Sequence, residues 1–245
     1  MDPVAFSLGV VQIRWYGVLI ALAFFLGYLL FKKFADQKGL PKAFADDFFA
    51  YLIPLAIIGA RLFAVFVYEP MYYLSNPIKI FYIWEGGLAS HGGMIGALIA
   101  VYLISRKYKV SFYSIADLLP IPFFLGAALG RIGNFINGEL VGKVTDLSWG
   151  MKFEKYEGLR HPSQLYESLK NFILFGTFLL IRKKKMPEGC FFWLGVSGYS
   201  ILRFIVEFYK DLPSYNGLTT AQWISLPLIA LSIIIYLRLK ANNSK

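Results

Sequence analysis

The chain has 245 residues, 57% of them apolar and 18% aromatic, with a formal net charge of +10. Its mean hydropathy of +0.55 is far above that of soluble domains and points to a polytopic membrane protein. One cysteine, Cys190, and two histidines, His91 and His161, exclude an internal disulfide framework, a cysteine metal site and a His-rich centre.

Seven segments approach the roughly 20 residues that a ~30 Å hydrocarbon layer requires. They fall at about 16–34, 47–68, 88–105, 112–129, 164–181, 189–208 and 220–238. Backbone groups in lipid must be satisfied internally, so each is expected to be a helix. Pro54, Pro120, Pro122 and Pro227 should kink or locally break theirs. Asp2 and Arg14, rather than a basic leader, precede the first run, which therefore reads as a retained helix.

Charge gives the orientation. Lys32, Lys33, Lys38 and Lys42 follow the first span, and Arg106, Lys107 and Lys109 the third. Arg182, Lys183, Lys184 and Lys185 follow the fifth, and Arg238, Lys240 and Lys245 the seventh. Fourteen of the 25 basic residues thus follow odd-numbered spans. Residues 69–87 hold only Lys79, and 209–219 only Lys210. By the positive-inside rule the N-terminus lies outside and the C-terminus in the cytoplasm. This side bias, rather than nucleic-acid binding, accounts for the basic balance.

The expected fold is an all-α integral membrane protein, one polytopic domain over 1–245 with about seven transmembrane helices. Residues 69–87, aromatic and broken by Pro70 and Pro77, read as a surface-lying or re-entrant piece. Residues 130–163 are long enough for a small extracytoplasmic cap, with short strands around 149–153.

Unusual polar residues concentrate at the outer ends of the spans. Trp15 and Tyr16 open the first, Arg61 lies in the second, and Ser90-His91-Gly92-Gly93 start the third. His161, Gln164, Tyr166 and Glu167 lead into the fifth, with His161 set to order the cap. Tyr199, Arg203 and Glu207 are spaced four apart and share one face of the sixth. An arginine at the centre of a membrane helix costs about 2.5–3.5 kcal/mol on insertion scales. Arg203 can offset that by pairing with Glu207. The functional reading of Arg61 and Arg203 is a cationic pocket for an anionic headgroup.

The densest polar stretch is Gly130–Gly142, GRIGNFINGELVG, at the end of the fourth apolar run. Arg131 presents a planar fork of donors suited to phosphate. Asn134 and Asn137 donate and accept, Glu139 adds a carboxylate, and the glycines allow tight turns and close backbone approach to a ligand.

This stretch resembles, position by position, the G-R-x-G-N-F-x-N-x-E-x-x-G signature of bacterial prolipoprotein diacylglyceryl transferases. SHGGMIG at 90–96, RHPSQLYE at 160–167, Trp15-Tyr16-Gly17 and Tyr199–Arg203 followed by FIVEF are similar to further motifs of that family. The resemblance covers essentially the whole chain.

It implies transfer of the sn-1,2-diacylglyceryl group of phosphatidylglycerol to a lipobox cysteine thiol of a prolipoprotein signal peptide. A thioether forms and glycerol-1-phosphate leaves. It further implies a multi-pass protein of the bacterial cytoplasmic (inner) membrane, active towards the extracytoplasmic side, with no cofactor or metal. On that reading the catalytic residues are His91, Arg131 and Arg203. Phosphatidylglycerol is bound by Arg131, Asn134, Glu139, Gly142, Tyr16, Tyr199 and Arg203: the two arginines grip the phosphate, Asn134 and Glu139 shape the signature loop, and Tyr16 and Tyr199 hold the headgroup or orient the arginines. His91 is one candidate base; a thiol polarised by arginine, with water accepting the proton, is the other. An organic-anion or lipid transporter is the alternative class, which intramembrane arginines would also serve; paired discontinuous helices or a repeat between halves are not evident. A hydrolase would need a protein nucleophile, and Ser90 beside His91 does not aim at it.

Overall fold

The structure, a computed structural model, describes residues 2–8 and 11–242. Lys245, counted above with the basic residues, lies outside them. The chain forms two compact units, Met1–Phe31 with Asp117–Lys245, and Lys32–Ala116.

The first unit begins with an antiparallel hairpin of β1 (Val4–Leu8) and β2 (Val11–Arg14), which the sequence did not announce. It leads directly into α1 (Trp15–Gln37), which runs on into the second unit.

In the second unit, α2 (Phe44–Phe63) continues as a π-helical turn over Ala64–Tyr68. Then α3 (Pro70–Ser75) and two 3₁₀ turns, Pro77–Phe81 and Ile83–Glu85, make up the aromatic segment. It is irregular because Pro70 and Pro77 each open a new short turn instead of extending the last. α4 (Ser90–Tyr108) follows and crosses α2 at glycines. A Cβ on Gly92 would overlap the Gly59 carbonyl, and one on Gly96 the Leu55 carbonyl. Small residues four apart let two membrane helices approach backbone to backbone. Gly92 and Gly96, beside His91, therefore seat α2.

The predicted fourth span is split. α5 (Phe112–Ala116) closes the second unit, and α6 (Pro120–Ile136) begins after a short turn. Pro120 supplies no amide hydrogen and occupies a first-turn position, where none is needed. The intervening Asp117 is used elsewhere in the first unit. Its carboxylate accepts from the amides of Gly189 and Phe192, both at 2.8 Å, and so caps α8 (Cys190–Glu207). At its other end α6 carries on past Leu129 to Ile136, so Arg131 and Asn134 are helical, not loop residues.

Beyond α6 lie β3 (Met151–Phe153) paired with β4 (Tyr156–Arg160), close to where strands were expected. α7 (Ser163–Ile181), α8, the small β5 (Ser214–Tyr215) and β6 (Leu218–Thr219) hairpin, and α9 (Thr220–Asn242) complete the unit. Its core meshes α6, α7 and α8 through Phe124. That ring meets Phe178 edge-on at 5.2 Å, and Phe178 meets Phe191 at 4.8 Å. Small residues bring the helices together: a Cβ on Gly195 would stand 3.2 Å from Pro120 and one on Gly198 3.1 Å from Leu174. Among the described residues four helices, Trp15–Gln37, Phe44–Tyr68, Cys190–Glu207 and Thr220–Asn242, are long and apolar enough to cross a membrane. α6 is a shorter apolar helix. α4 and α7 fall where two further spans were predicted, but α4 is polar at both ends and α7 carries Glu167 and Lys170 within it.

Candidate active site

The signature is a helix end, and its glycines divide by role. Gly126, Gly130 and Gly133 form a stripe on α6 that receives α1. Cβ atoms there would lie 3.9 Å from Ala23, 3.5 Å from Ile20 and 2.8 Å from the Tyr16 ring. The Tyr16 ring is thus laid across Gly133, directly beside Asn134. Gly138, at φ +65°, makes the turn out of the helix. Gly142 is buried where three main-chain segments converge. Its amide donates to the His161 carbonyl at 2.9 Å, and it bridges to Lys210. Gly130, Gly133 and Gly142 thus stand where the chain packs closely on itself.

The signature's polar residues bind one another. Glu139 Oε1 accepts from Asn134 Nδ2 at 2.8 Å and from Asn137 Nδ2 at 3.3 Å. Asn134 Oδ1 in turn accepts from Arg131 Nη1 at 3.4 Å. The Glu139 main chain is pinned as well: its amide donates to the Asn134 carbonyl at 3.1 Å and its carbonyl accepts from Gln164 Nε2 at 2.5 Å. A carboxylate, a carboxamide and a half-buried guanidinium thus form one chain. Arg131 is held at its far end by a single long contact, with most of its five donors uncommitted to that chain.

A second charged cluster lies between α7 and α8. Glu167 and Glu207 are each 1% exposed. Lys210 Nζ lies 2.6 Å from Glu167 Oε1 and 3.0 Å from Glu207 Oε2, and Lys170 Nζ lies 2.9 Å from Glu167 Oε2. Arg203 reaches Glu167 and Glu207 at 3.9 Å each. Lys170 Nζ stands 4.0 Å over the Tyr199 ring, which is otherwise packed on Phe123 and Phe124. The expected Arg203–Glu207 pairing is present, but it is the loosest in the network. The network therefore carries three cations against two carboxylates, with its most exposed cation, Arg203, bound least closely. Such a group can receive an anion.

His161 orders the cap, as expected. Its Nδ1 is 3.1 Å from the Tyr166 hydroxyl, which accepts from Trp149 Nε1 at 2.8 Å. Arg160 pairs with Asp211 at 2.6 Å. Cys190 is 1% exposed at the start of α8.

The second unit holds His91 and Arg61. His91 is exposed in the first turn of α4, its Nδ1 3.0 Å from the Tyr68 hydroxyl and its ring stacked on Phe63. Arg61 is not a headgroup cation. All five of its N–H donors reach main-chain carbonyls of the aromatic segment: Nε to Ile80 at 2.8 Å, Nη1 to Gly86 at 2.6 Å and Gly87 at 3.0 Å, and Nη2 to Lys79 and to Tyr82, the latter at 3.3 Å. Its plane also lies 4.9 Å from the Tyr73 ring centroid. Burial at 5% exposure is thereby satisfied without any ligand.

Tyr199 and Arg203 share one face of α8, as their spacing implied, whereas the placing of Tyr16 across the signature helix was not foreseen. Sequence reasoning gave no role to Lys170 or Lys210. A signal existed for Lys170, which stands three residues after Glu167 on α7 and so faces it; Lys210 lies past the end of α8, in a bridge to Gly142.

The family model for prolipoprotein diacylglyceryl transferase matches residues 3–238. Three similar proteins are each named phosphatidylglycerol–prolipoprotein diacylglyceryl transferase. That of Tolumonas auensis is 40% identical over 244 residues, covering 96% of this chain and 95% of its own. That of Geobacter sulfurreducens is 38% identical, covering 95% and 93%. That of Bordetella avium is 37% identical, covering 100% and 97%.

Proposed function

The chain belongs to the prolipoprotein diacylglyceryl transferase family, and from that premise we propose how its charged clusters carry out the transfer. The enzyme moves the diacylglyceryl group of phosphatidylglycerol onto a prolipoprotein, which displaces the anion-transporter alternative. The acceptor is the thiol of a lipobox cysteine in the signal peptide. A free thiol with a pKa near ~8.5 must lose its proton to attack carbon. The thiolate sulfur then bonds to the glyceryl carbon that carries the phosphate. The C–O bond breaks with its electron pair on oxygen, and glycerol-1-phosphate leaves with one more negative charge.

That new charge is where the protein contributes most. Donors already oriented towards a developing charge in a water-poor site stabilise the transition state more than the ground state. Arg131 and Arg203 fit this role. One observation carries the reading: Arg203 stands 3.9 Å from both Glu167 and Glu207, and Arg131 is held at 3.4 Å by Asn134, so neither guanidinium is closely committed. Asn134 and Glu139 set Arg131. Tyr16 lies against Gly133 and Tyr199 against the α7 lysine, where each limits the movement of an arginine's helix. Gly142 supports the cap rather than the lipid. His91 is the candidate proton acceptor, supported by its exposed ring; with Nδ1–H donating to the Tyr68 hydroxyl 3.0 Å away, Nε2 is the acceptor. Water acting beside an arginine-polarised thiol is the competing acceptor.

For the membrane arrangement we take α1, α2, α4, the α5–α6 pair, α7, α8 and α9 as seven spans. The basic residues after the odd-numbered ones support a cytoplasmic C-terminus. The signature end of α6 and the cap then face away from the cytoplasm in the inner membrane.

Incubating the purified protein with phosphatidylglycerol and a lipobox peptide tests the function. Mass analysis should show the peptide plus one diacylglyceryl group, and a Cys→Ser peptide should gain nothing. Absence of the adduct with the cysteine peptide would refute the assignment.

A further inference from the structure

Lys170 lies in the middle of α7, 4% exposed, at a position outside every motif noted in the sequence. A cation buried this deeply persists only with charged partners. Its contacts reveal what it changes. Glu167 has two oxygens, and two lysines take them: Lys210 at 2.6 Å on Oε1 and Lys170 at 2.9 Å on Oε2. Glu207 receives Lys210 at 3.0 Å on Oε2 and the Thr219 hydroxyl at 3.2 Å on Oε1. Every carboxylate oxygen thus has a near partner, and Arg203 is left at 3.9 Å from both acids.

We propose that Lys170 is a positioning residue that keeps Arg203 available to the substrate phosphate by occupying Glu167. This rests on the reading of Arg203 as a phosphate contact. Without Lys170, Glu167 Oε2 has no near cation and the carboxylate keeps more of its negative charge, which draws in Arg203, now 3.9 Å from the other oxygen, Oε1. Closing from 3.9 Å to the ~2.8 Å of a guanidinium–carboxylate bond needs a shift of about 1 Å. The network would then hold two cations and two carboxylates, and its surplus positive charge would be gone. Lys170 acts a second way on the same partner. Its Nζ over the Tyr199 ring, at 4.0 Å, fixes the aromatic residue one helical turn before Arg203.

The test is a double-mutant cycle read as kcat/KM for phosphatidylglycerol, with inhibition by glycerol-1-phosphate as a second reading. Lys170→Met keeps the stem and removes the charge. It should lower kcat/KM by about tenfold or more, the effect of weakening one charge-assisted contact, and weaken product inhibition in parallel. Lys170→Arg should retain activity. Lys170→Met/Glu167→Gln again has one more cation than carboxylates, and should match Glu167→Gln alone within about threefold. That second comparison stands even where Lys170→Met by itself inserts poorly, because the pair is charge-balanced. Wild-type kinetics for a folded Lys170→Met, or a further tenfold loss on the Glu167→Gln background, would overturn the proposal. Arg203→Gln separates it from its premise. If Arg203→Gln turns over normally, the phosphate role of Arg203 is wrong; if Arg203→Gln is inactive while Lys170→Met is normal, only the role of Lys170 is wrong.

Discussion

Replacing Gly142 by alanine is the sharpest test of the claim that the signature's last glycine supports the cap and not the lipid. A Cβ there would lie 2.5 Å from the Tyr209 carbonyl oxygen, 2.6 Å from His161 Cβ and 2.7 Å from the His161 carbonyl oxygen. Ordinary contact between such atoms is about 3.5–4.0 Å, so the neighbours must retreat by about 1 Å. All three belong to or adjoin backbone, which cannot swing aside as a long side chain would. Overpacking of this kind costs about 1–3 kcal/mol. The two hydrogen bonds flanking the site, Gly142 to His161 at 2.9 Å and Lys143 to Tyr209 at 3.0 Å, would stretch as well. At about 0.5–1.5 kcal/mol each, the local loss comes to about 2–6 kcal/mol. Hydrogen exchange on the protein in lipid nanodiscs reads this directly. The amides of Gly142 and Lys143 should exchange about 30-fold faster or more, since each 1.4 kcal/mol is a factor of ten. Turnover should fall with them, because Gly142 bridges to Lys210, the closest partner of Glu167. Unchanged exchange at both amides with lost activity would refute the packing argument and return Gly142 to the lipid.

Three further outcomes are expected. Arg131→Lys keeps a charge but offers one point donor in place of a planar fork, so turnover at saturating phosphatidylglycerol should drop by about 10²–10³ while the lipid still binds; wild-type turnover would shift the leaving-group contact to Arg203. Arg61→Lys cannot reach five carbonyls, so limited proteolysis should cut within residues 77–87 where the parent protein resists, and equal resistance would show that the clamp is not what holds the segment. In a Cys190→Ala background, which should retain turnover because the nucleophile comes from the substrate, cysteines at positions 155 and 184 should label from opposite sides of the membrane. Labelling from one side would defeat the proposed topology.

What the sequence disclosed, and what it hid, follows from where each residue's partners lie. Tyr199, Arg203 and Glu207 could be placed on one helical face from spacing alone. The apolar runs likewise foretold every long helix, because burial and lipid both demand the same pattern. The break at Asp117–Pro120 was harder. Pro120 marked an interruption there, but the carboxylate of Asp117 capping α8 joins residues more than seventy positions apart, which no local pattern announces. Arg61 misled for a related cause. Its partners are main-chain carbonyls, which every residue has, so no side-chain pattern marks them. The glycines of the signature were legible as close-approach positions, but spacing could not say that α1, rather than a ligand, would do the approaching.

The Arg61 clamp has a practical consequence for engineering. A guanidinium that grips only carbonyl oxygens does not read the identity of the residues supplying them. Ile80 and Tyr82 can therefore be varied with the clamp intact, whereas Lys79 also pairs with Glu85 at 2.6 Å, and Gly86 and Gly87, at φ +96° and +69°, cannot be replaced. The outward side chains Ile78, Phe81 and Trp84 are each at least 66% exposed and make few demands on the rest of the chain. A library confined to residues 78–84, with Lys79 retained, would vary the character of this segment while its path stayed fixed. It offers a way to ask, one side chain at a time, which lipid compositions such an enzyme will work in.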